Sequence, residues 1–390
     1  MNKRSTSDKS AIPGALAVAA AYSVGLWGLY LQPQLLSPLM EKLQVTETEV
    51  GALYGVENFI YFITLLLTTI PVTKYSRTKM AMLGVIIVVV GSIACAFADS
   101  LSMLMFYRCI VSVGGGIASG SATASAAGSK DPVRTFAIAG ITYLLIFSVG
   151  RRLVPIGLED FGLSGIYLCT AIFSAITVPI YFFLNPPVKA ESANINFFQL
   201  IQGIPYRLFA ILAMSGLFIY ELGQNAAFTY MDKLGEKAGI DGNERGTVYL
   251  LSFFMQFLGG AVATWMGTRY GRFWPLICGL GLNITSAAMF TLVENPDYYI
   301  YLIFLWNLSY AFSSPYISGT LAALDKEGRL AVAGEAFWNF SSTPGPIIAT
   351  LIVANLGYNP LALWVFTSGA VGITLFCYTG RQVDKFGLKE

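Results

Sequence analysis

Apolar runs long enough to cross a lipid bilayer recur along the whole 390-residue chain, from Ala15 to Tyr378. A helix of about 20 apolar residues spans the hydrocarbon core of a bilayer, which is about 30 Å thick. Because backbone groups in lipid must bond within their own structure, only helices or closed barrels can occupy that core. Charged residues make up only 12% of the chain, about half the share that is usual in soluble domains. The sequence therefore predicts an all-α, polytopic membrane protein.

Twelve transmembrane spans can be drawn, and the charges in the loops between them predict the orientation. The spans cover residues 12–40, 49–73, 80–98, 101–127, 135–158, 163–184, 207–231, 246–268, 273–293, 298–324, 330–355 and 359–379. Of the 24 lysines and arginines, 17 lie on the side that holds both termini, four lie on the other side and three lie inside spans. Because Lys and Arg are in excess on cytoplasmic loops, we expect both termini in the cytoplasm and the chain in the plasma (inner) membrane.

The second half of the chain repeats the first at an offset of 195 residues. The segment "GALYGVENFIYF" (51–62) falls on "GTVYLLSFFMQF" (246–257), the loop "KYSR" (74–77) falls on "RYGR" (269–272), and Gly162 falls on Gly357. The sequence therefore predicts two pseudo-symmetric six-helix bundles, at residues 1–184 and 207–390. Residues 185–206 between them are polar and are predicted to be a cytoplasmic linker.

Two six-helix halves joined by a cytoplasmic linker resemble the major facilitator superfamily of secondary transporters over the whole chain. The family's signature loop, G-x-x-x-D-R-x-G-R-[KR], is similar to "TWMGTRYGRF" in the second half, where Arg269, Gly271 and Arg272 match. Thr264 and Thr268 stand where the family has Gly and Asp, and the first half keeps only the positive charge. The resemblance implies a cavity lined by the first, second, fourth and fifth helices of each half, with the solute site near the midplane.

Two adjacent arginines, Arg151 and Arg152, lie within the fifth span, where a charge is costly. The repeat places Arg151 on Pro346 of a Gly345-Pro346 pair that resembles the family's fifth-helix motif. In one interpretation the arginines only orient or gate the helix, by reaching outward or by pairing with Glu57. In the other, at least one guanidinium binds an anionic group of the solute. Neighbouring helical residues diverge by about 100°, so the two cannot face one ligand together; we favour Arg151, because it replaces the motif's proline.

Carboxylates are the side chains that we expect to bind and release protons in this chain, because histidine is absent. Glu221 lies deep in the seventh span, on one helical face with Gln224 and Asn225. It has no cation beside it in sequence, and desolvation at that depth would favour its protonated form. Glu221 is therefore the first candidate for a proton carrier, and Glu57 is the second, although we also expect an ion pair between Glu57 and Arg108.

The remaining candidate residues shape the solute pocket or control access to it. Gln224, Asn225 and several aromatic residues on the implied lining helices are predicted to contact solute together with Arg151 and Arg152. Those aromatic residues are Trp27, Tyr30, Tyr61, Tyr310 and Trp338. A second group is predicted to have gating or structural roles: Arg108, Arg134, Arg269, Arg272, Arg329, Glu335, Gly345 and Pro346.

The residues and the resemblance together predict a secondary active transporter for a small organic solute, anionic or zwitterionic with an apolar or aromatic part. We expect it to be coupled to protons, as a symporter or an antiporter, and to work as a monomer by alternating access. The alternative is a proton-driven multidrug efflux antiporter, because Glu57, Glu221 and an aromatic cavity would suit cations. No phosphate-binding loop, metal ligand set or catalytic centre is evident in the sequence, so neither an enzyme nor a cofactor is predicted. No basic patch indicates nucleic acid as a partner.

Overall fold

The computed structural model describes residues 11–186, 207–325 and 328–385, and these residues are helical almost throughout, with no strand among them. The predicted all-α class is confirmed. The helices are α1 (Ala11–Leu43), α2 (Glu47–Thr68), α3 (Pro71–Lys74), α4 (Arg77–Ala96), α5 (Leu101–Ala127), α6 (Pro132–Ile176), α7 (Arg207–Lys237), α8 (Gly242–Met266), α9 (Phe273–Phe290), α10 (Pro296–Leu324), α11 (Arg329–Ser341), α12 (Pro344–Leu356) and α13 (Tyr358–Lys385). A short 3₁₀ helix, Val178–Phe183, follows α6.

Nine helical segments within the described ranges are long and apolar enough to cross a membrane, two of them within α6. Two of the other three predicted spans fall short for local reasons. α10 carries many tyrosine and serine residues, and the eleventh span is broken. The first span lies in α1, a helix of 33 residues whose segment Ile12–Gly28 is apolar. The count of twelve spans remains a prediction.

The eleventh span was predicted as one helix over residues 330–355, and the structure corrects this to two helices. α11 ends at Ser341 and α12 begins at Pro344. A proline inside a helix removes a backbone hydrogen bond and clashes with the preceding turn, whereas the first turn of a helix accommodates it. The proline therefore begins a new helix instead of continuing the old one.

The fifth and sixth predicted spans form α6, which consists of two helical segments that meet at the non-helical residue Gly162. The second segment folds back beside the first, because Trp27 contacts both Phe147 and Phe173. Gly162 has φ 62° and ψ −170°, a conformation that residues with a Cβ rarely adopt. The residue 195 positions later, Gly357, has φ 86° and ψ −171° and ends α12. The same backbone conformation thus occurs at equivalent places in the two halves.

Helix N-caps also occur at equivalent places in the two halves. Thr46 caps α2 and Asp241 caps α8, and each side chain accepts a hydrogen bond from the backbone N–H three residues on. Ser100 and Asn295 do the same for α5 and α10. Both pairs are 195 residues apart. Because Ser, Thr, Asp and Asn all satisfy the free N–H groups of a first helical turn, the helix starts coincide although the capping residues differ.

The bundle has two ends, which we name from the chain. The terminal face is the end at which α1 begins and α13 ends, and the far face is the opposite end. At the terminal face the Arg77 guanidinium donates a hydrogen bond to the carbonyl of Pro186 at 3.2 Å, and at the far face Lys42 donates to Ser164 at 3.2 Å.

The two chain halves meet at several helix contacts, four of which are the most extensive among the described residues. α6 packs against α8 and α10, and α11 packs against α2 and α5. Within the halves, α1 packs against α5 and α6, and α7 packs against α13. Most of the predicted linker, residues 187–206, lies outside the described residues, so the division into two bundles remains a prediction.

Candidate functional site

Aromatic rings line the contact between α1 and both helical segments of α6. Tyr30 stacks on Phe147 with the ring centroids 4.0 Å apart, and Trp27 stacks on Phe173 at 4.9 Å. Tyr143 lies 5.6 Å from Phe147. Aromatic pairs at these separations attract one another beyond the effect of their burial. The sequence therefore builds a continuous aromatic wall on the first half of the chain.

Tyr310, a residue of the second half, lies close to this aromatic wall. It is the fifteenth of the 29 residues of α10, and its ring meets that of Trp338 edge-on at 5.7 Å. Tyr310 also lies close enough to Tyr30, Tyr143 and Glu221 to interact with them electrostatically. Four of the five aromatic residues singled out in the sequence, Trp27, Tyr30, Tyr310 and Trp338, thus fall in one region where the halves meet.

Glu221 lies beside this aromatic region, midway along α7. Its side chain is 2% exposed, and its Oε1 atom has no hydrogen-bond partner among the described residues. Its electrostatic neighbours include the hydroxyl-bearing Tyr220 and Tyr310. A buried ionised carboxylate without a partner is costly. The surroundings of Glu221 therefore favour its neutral form.

The two polar residues that follow Glu221 are engaged within the second half. The Gln224 Oε1 atom accepts a hydrogen bond from the Trp306 indole N–H at 2.6 Å. The Asn225 amide donates to Ser341 Oγ at 3.0 Å and to the Glu221 carbonyl at 2.9 Å. The polar face of α7 therefore packs against α10 and against the end of α11, instead of lining only an open cavity.

Glu57 and Arg108 form the ion pair that the sequence led us to expect. Both side chains are buried, with 2% and 4% exposed. Arg108 donates to both carboxylate oxygens of Glu57, with Nε 3.2 Å from Oε2, and Gln32 donates to Oε2 at 3.3 Å. Gly28 of α1 covers the pair so closely that a Cβ there would lie 2.3 Å from Arg108 Nη2. The pair is therefore a closed unit, and the charge of Glu57 is matched by Arg108.

Glu335 of α11 joins the second half to three helices of the first. The Tyr22 hydroxyl donates to Oε2 at 2.6 Å and the Tyr61 hydroxyl donates to Oε1 at 3.3 Å. Thr123 also donates to Oε2. Tyr61, which the sequence predicts to contact solute, is 1% exposed and belongs to this cluster; its contact with solute remains a prediction. Glu335 thus accepts hydrogen bonds from α1, α2 and α5 at once.

Close packing near the terminal face accompanies the Glu335 cluster. Gly328, which precedes α11, lies against α5, where a Cβ on it would come within 2.8 Å of the Ala124 Cα. Gly120 of α5 similarly faces Val332 of α11. The two halves are therefore in direct contact at this end of the bundle.

Besides Arg108, four arginines were predicted for gating or structure, and they divide into two kinds. Arg272 and Arg329 are buried, and they pair with Asp384 at 3.7 Å and Asp325 at 2.7 Å. Both pairs join segments of the second half. Arg134 and Arg269 are exposed at the terminal face. Of this predicted group, Glu335 makes direct contact with the other half, whereas Arg272 and Arg329 pair within the second half. The gating roles remain predictions.

The Gly345-Pro346 pair lies in the first turn of α12, just beyond the break in the eleventh span. Gly345 is buried against α7, and a Cβ there would come within 2.7 Å of the Asn225 Cβ. A glycine is needed for the two helices to approach this closely. The pair therefore positions the break next to Glu221 and Asn225.

Arg151 and Arg152 lie on α6, but their side chains lie outside the described part of the structure. Their backbone follows Gly150, against which the Trp27 ring packs so closely that a Cβ would lie 2.1 Å from its Cη2 atom. The backbone is thus level with the aromatic region. The solute-binding role of both arginines remains a prediction.

The sequence did not identify two of the residues that bind Glu335, Tyr22 and Thr123. Both are neutral, and they lie 313 and 212 residues from Glu335 in the chain. The only available signal was that both fall on implied lining helices. Their role depends on a carboxylate from the other half, which no local pattern reveals. Among the described residues, no three Cys, Asp or Glu side chains group to hold a metal.

A bundle of apolar helices whose two halves meet at buried carboxylates and aromatic rings defines a polytopic membrane transporter. Residues 16–328 match the family model described as Major Facilitator Superfamily. The chain belongs to this family, and it is a transporter and not an enzyme. A curated relative from Buchnera aphidicola subsp. Schizaphis graminum, described as an uncharacterized transporter, is 27% identical over 146 residues, which are 36% of this chain and 37% of that protein.

Solved structures of the same family share the fold over nearly the whole chain. The human organic anion transporter MFSD10 (TETRAN) has a TM-score of 0.70 and 15% identity, covering 94% of this chain and 97% of its own. FucP in the outward conformation has a TM-score of 0.76 and 14% identity, covering 96% and 99%. The proton:xylose symporter XylE has a TM-score of 0.72 and 13% identity, covering 96% and 94%. These likenesses establish the transporter fold.

Proposed function

We propose that this chain is a proton-coupled secondary transporter of a small organic anion or zwitterion with an apolar or aromatic part. The observation that carries the proposal is Glu221, a carboxylate buried in the middle of the bundle with an oxygen that no described group satisfies. It lies beside Tyr310, where the aromatic rings of the two halves meet. A proton or a solute would satisfy this oxygen, so both can act at the same place.

Glu221 is a better proton carrier than Glu57. Glu57 is held by Arg108, and removing the negative charge from a buried pair would leave an uncompensated guanidinium. Glu221 has no such cation among the described residues, so it gains and loses a proton without breaking an ion pair. We therefore assign the coupling proton to Glu221 and a structural role to the Glu57–Arg108 pair.

We assign the anionic group of the solute to Arg151. A guanidinium suits carboxylates because its donors form a planar fork. The α6 backbone at Arg151 follows Gly150, which contacts Trp27, and it lies about one helical turn, 5.4 Å, beyond Phe147. An anion bound there would have the rings of Tyr30 and Tyr310 beside it for an apolar or aromatic part. The human relative is described as an organic anion transporter, which agrees with this assignment.

We infer that transport proceeds by alternating access, with the terminal face on the cytoplasmic side of the plasma membrane. The orientation rests on the excess of Lys and Arg at that face. Support for the mechanism comes from the Glu335 cluster and from the contact of Gly328 with Ala124, which join the halves at that face. The conformation described here is then closed to the cytoplasm. A rocking motion would break these contacts and open the site to that side.

Transport by purified protein in proteoliposomes tests the proposal. With an imposed pH gradient, the wild-type protein should accumulate a labelled aromatic carboxylate against its concentration gradient. Glu221→Gln should still bind and exchange the solute but should no longer accumulate it, because Gln keeps the shape and hydrogen-bonding groups but cannot titrate. Glu236→Gln, an exposed glutamate on the same helix, is the matched control and should accumulate normally.

The same assay separates the alternatives. Proton-driven expulsion of lipophilic cations without carboxylate transport would establish the multidrug antiporter instead. Accumulation by Glu221→Gln at the wild-type level would move the coupling role to Glu57.

A further inference from the structure

A crevice of about 510 Å³ lies between α6 and α8 at the terminal face. It is distinct from the aromatic region beside Glu221, because it is formed by the first turns of α6 and the last turns of α8. Asp131, Arg134 and Arg269 line the end of the crevice that lies nearest the loops of the terminal face. Its wall below these residues is mainly apolar, with Thr142 and Thr264 as its polar residues. The crevice therefore has a charged mouth and a hydrocarbon-like interior.

The apolar wall faces the lipid side of the bundle. It is lined by Ile141 of α6 and by Phe257, Ala261 and Trp265 of α8. Phe257 is 54% exposed and Trp265 is 64% exposed, so the crevice opens where acyl chains surround the protein. Tryptophan is enriched at the boundary between the hydrocarbon core and the head groups. The crevice therefore spans that boundary.

The charged mouth has an excess of positive charge. Arg134 and Arg269 are exposed, and neither has a carboxylate within ion-pair distance among the described residues. Asp131 supplies one negative charge, but its Oδ1 atom accepts the backbone N–H of Arg134 at 3.0 Å and caps α6. The mouth thus carries two guanidiniums and one carboxylate, and that carboxylate already accepts a backbone hydrogen bond. An anion at the mouth would find two bidentate donors.

We propose that this crevice binds an anionic phospholipid. The phosphate would lie between Arg134 and Arg269, and an acyl chain would lie along Ile141, Phe257 and Trp265. Basic pockets between membrane helices are suited to anionic head groups. A free phosphate would use the mouth alone and leave the apolar wall without an occupant. The depth and apolar lining of the crevice therefore favour a lipid over a soluble anion.

The two walls of the site come from different halves of the transporter. α6 belongs to the first half and α8 to the second, and Ile141 packs directly against Gly260 across the contact. A lipid that touches both walls binds best when they are at this separation. It would therefore favour the conformation in which the terminal face is closed, since a ligand stabilises the state it binds more tightly.

Lipid retention by the intact purified protein tests the site. In native mass spectrometry with equal amounts of phosphatidylglycerol and phosphatidylcholine, the wild-type protein should retain phosphatidylglycerol at least fivefold more. Arg134→Gln combined with Arg269→Gln should remove this preference. Lys74→Gln combined with Lys79→Gln changes the charge equally at the terminal face, on exposed residues outside the crevice, and should leave the preference intact.

Two further experiments test whether the lipid occupies both the charged mouth and the apolar wall. Ala261→Trp should fill the apolar wall and lower phosphatidylglycerol retention at least threefold, with the charged mouth unchanged. A large excess of glycerol phosphate, a soluble head-group analogue, should not displace the lipid. Equal retention by the wild-type and double-arginine proteins would overturn the proposal. So would loss of the preference in the lysine control, or displacement by glycerol phosphate, which would indicate a site for soluble anions.

Discussion

Replacing Glu335 by alanine removes the one acceptor that Tyr22, Tyr61 and Thr123 share across the contact between the halves. The substitution acts at the terminal face and leaves Glu221 and the aromatic region untouched. Its expected effect is a shift of the conformational equilibrium away from the state in which this face is closed. The three hydroxyls can find water when the halves separate, so their loss affects the closed state more than the open one.

The size of the shift follows from the geometry. The Tyr22 and Thr123 bonds are short, whereas the Tyr61 bond is long at 3.3 Å. A hydrogen bond contributes about 0.5–1.5 kcal/mol net, so two good bonds and a weak one amount to about 2 kcal/mol. At 1.4 kcal/mol per factor of ten, the ratio of open to closed molecules should rise about 30-fold. Glu335→Gln keeps one acceptor oxygen and should shift the ratio less than tenfold.

Spin-label distances in proteoliposomes measure this ratio. The five cysteines are replaced, and labels are placed in pairs at positions 130 and 326 on the terminal face and at positions 42 and 233 on the far face. In Glu335→Ala the first distance should lengthen in most molecules while the second shortens. A distance distribution identical to that of the wild-type protein would refute the role of Glu335, and distances that change in the same sense would refute rocking.

Three other substitutions test separate parts of the structure. Arg108→Gln should destabilise the protein by about 3–5 kcal/mol because it leaves Glu57 buried and unpaired; in thermal melting, Arg108→Gln combined with Glu57→Gln should recover most of the loss, and equal melting of the single and double variants would contradict this. Gly328→Val should lengthen the terminal-face distance, because φ is 84° and a Cβ would lie 2.8 Å from the Ala124 Cα. An unchanged distance would show that the contact accommodates the added side chain. Arg151→Ala should weaken carboxylate binding at least tenfold in calorimetry with an unchanged melting temperature, and unchanged binding would leave the arginine only a structural role.

The positions of the helices could be predicted from the sequence because their signals are local. Apolar length defines a span, and caps such as Thr46 and Asp241 define where a helix starts. The break after Ser341 was missed, although Pro344 and Pro346 indicate it, since proline disrupts the interior of a helix. The prediction relied on the hydropathy of residues 330–355 and did not take these prolines into account. The break at Gly162 agrees with the two spans, 135–158 and 163–184, that the sequence predicts on either side of it.

The candidate site could be predicted only where a charge identified it. Charged residues inside apolar spans singled out Glu57, Arg108 and Glu221, and opposite charges at similar depth indicated the Glu57–Arg108 pair. The contact of Tyr61 with Glu335 depends on how the two halves dock, and these residues are 274 positions apart. Gln224 was assigned to solute because it shares a helical face with Glu221. The hydrogen bond that its side-chain carbonyl accepts from Trp306 could not be predicted, because the Trp306 indole had no sequence signal.

The break between α11 and α12 has a consequence for how the two halves can move. The equivalent stretch of the first half, residues 146–149, lies inside the part of α6 that precedes Gly162, residues 132–161, which is one unbroken helix. A continuous helix behaves as a rigid rod and carries a displacement from one end to the other, whereas a broken helix acts as two shorter rods joined by a hinge. In this protein the helix that contains residues 146–149 is stiff, whereas the equivalent pair of helices, α11 and α12, is jointed beside Glu221. We therefore expect α12 to tilt over the bound solute on its own, before α11 releases its hold on the first half, so that the solute is enclosed from both sides for part of each cycle.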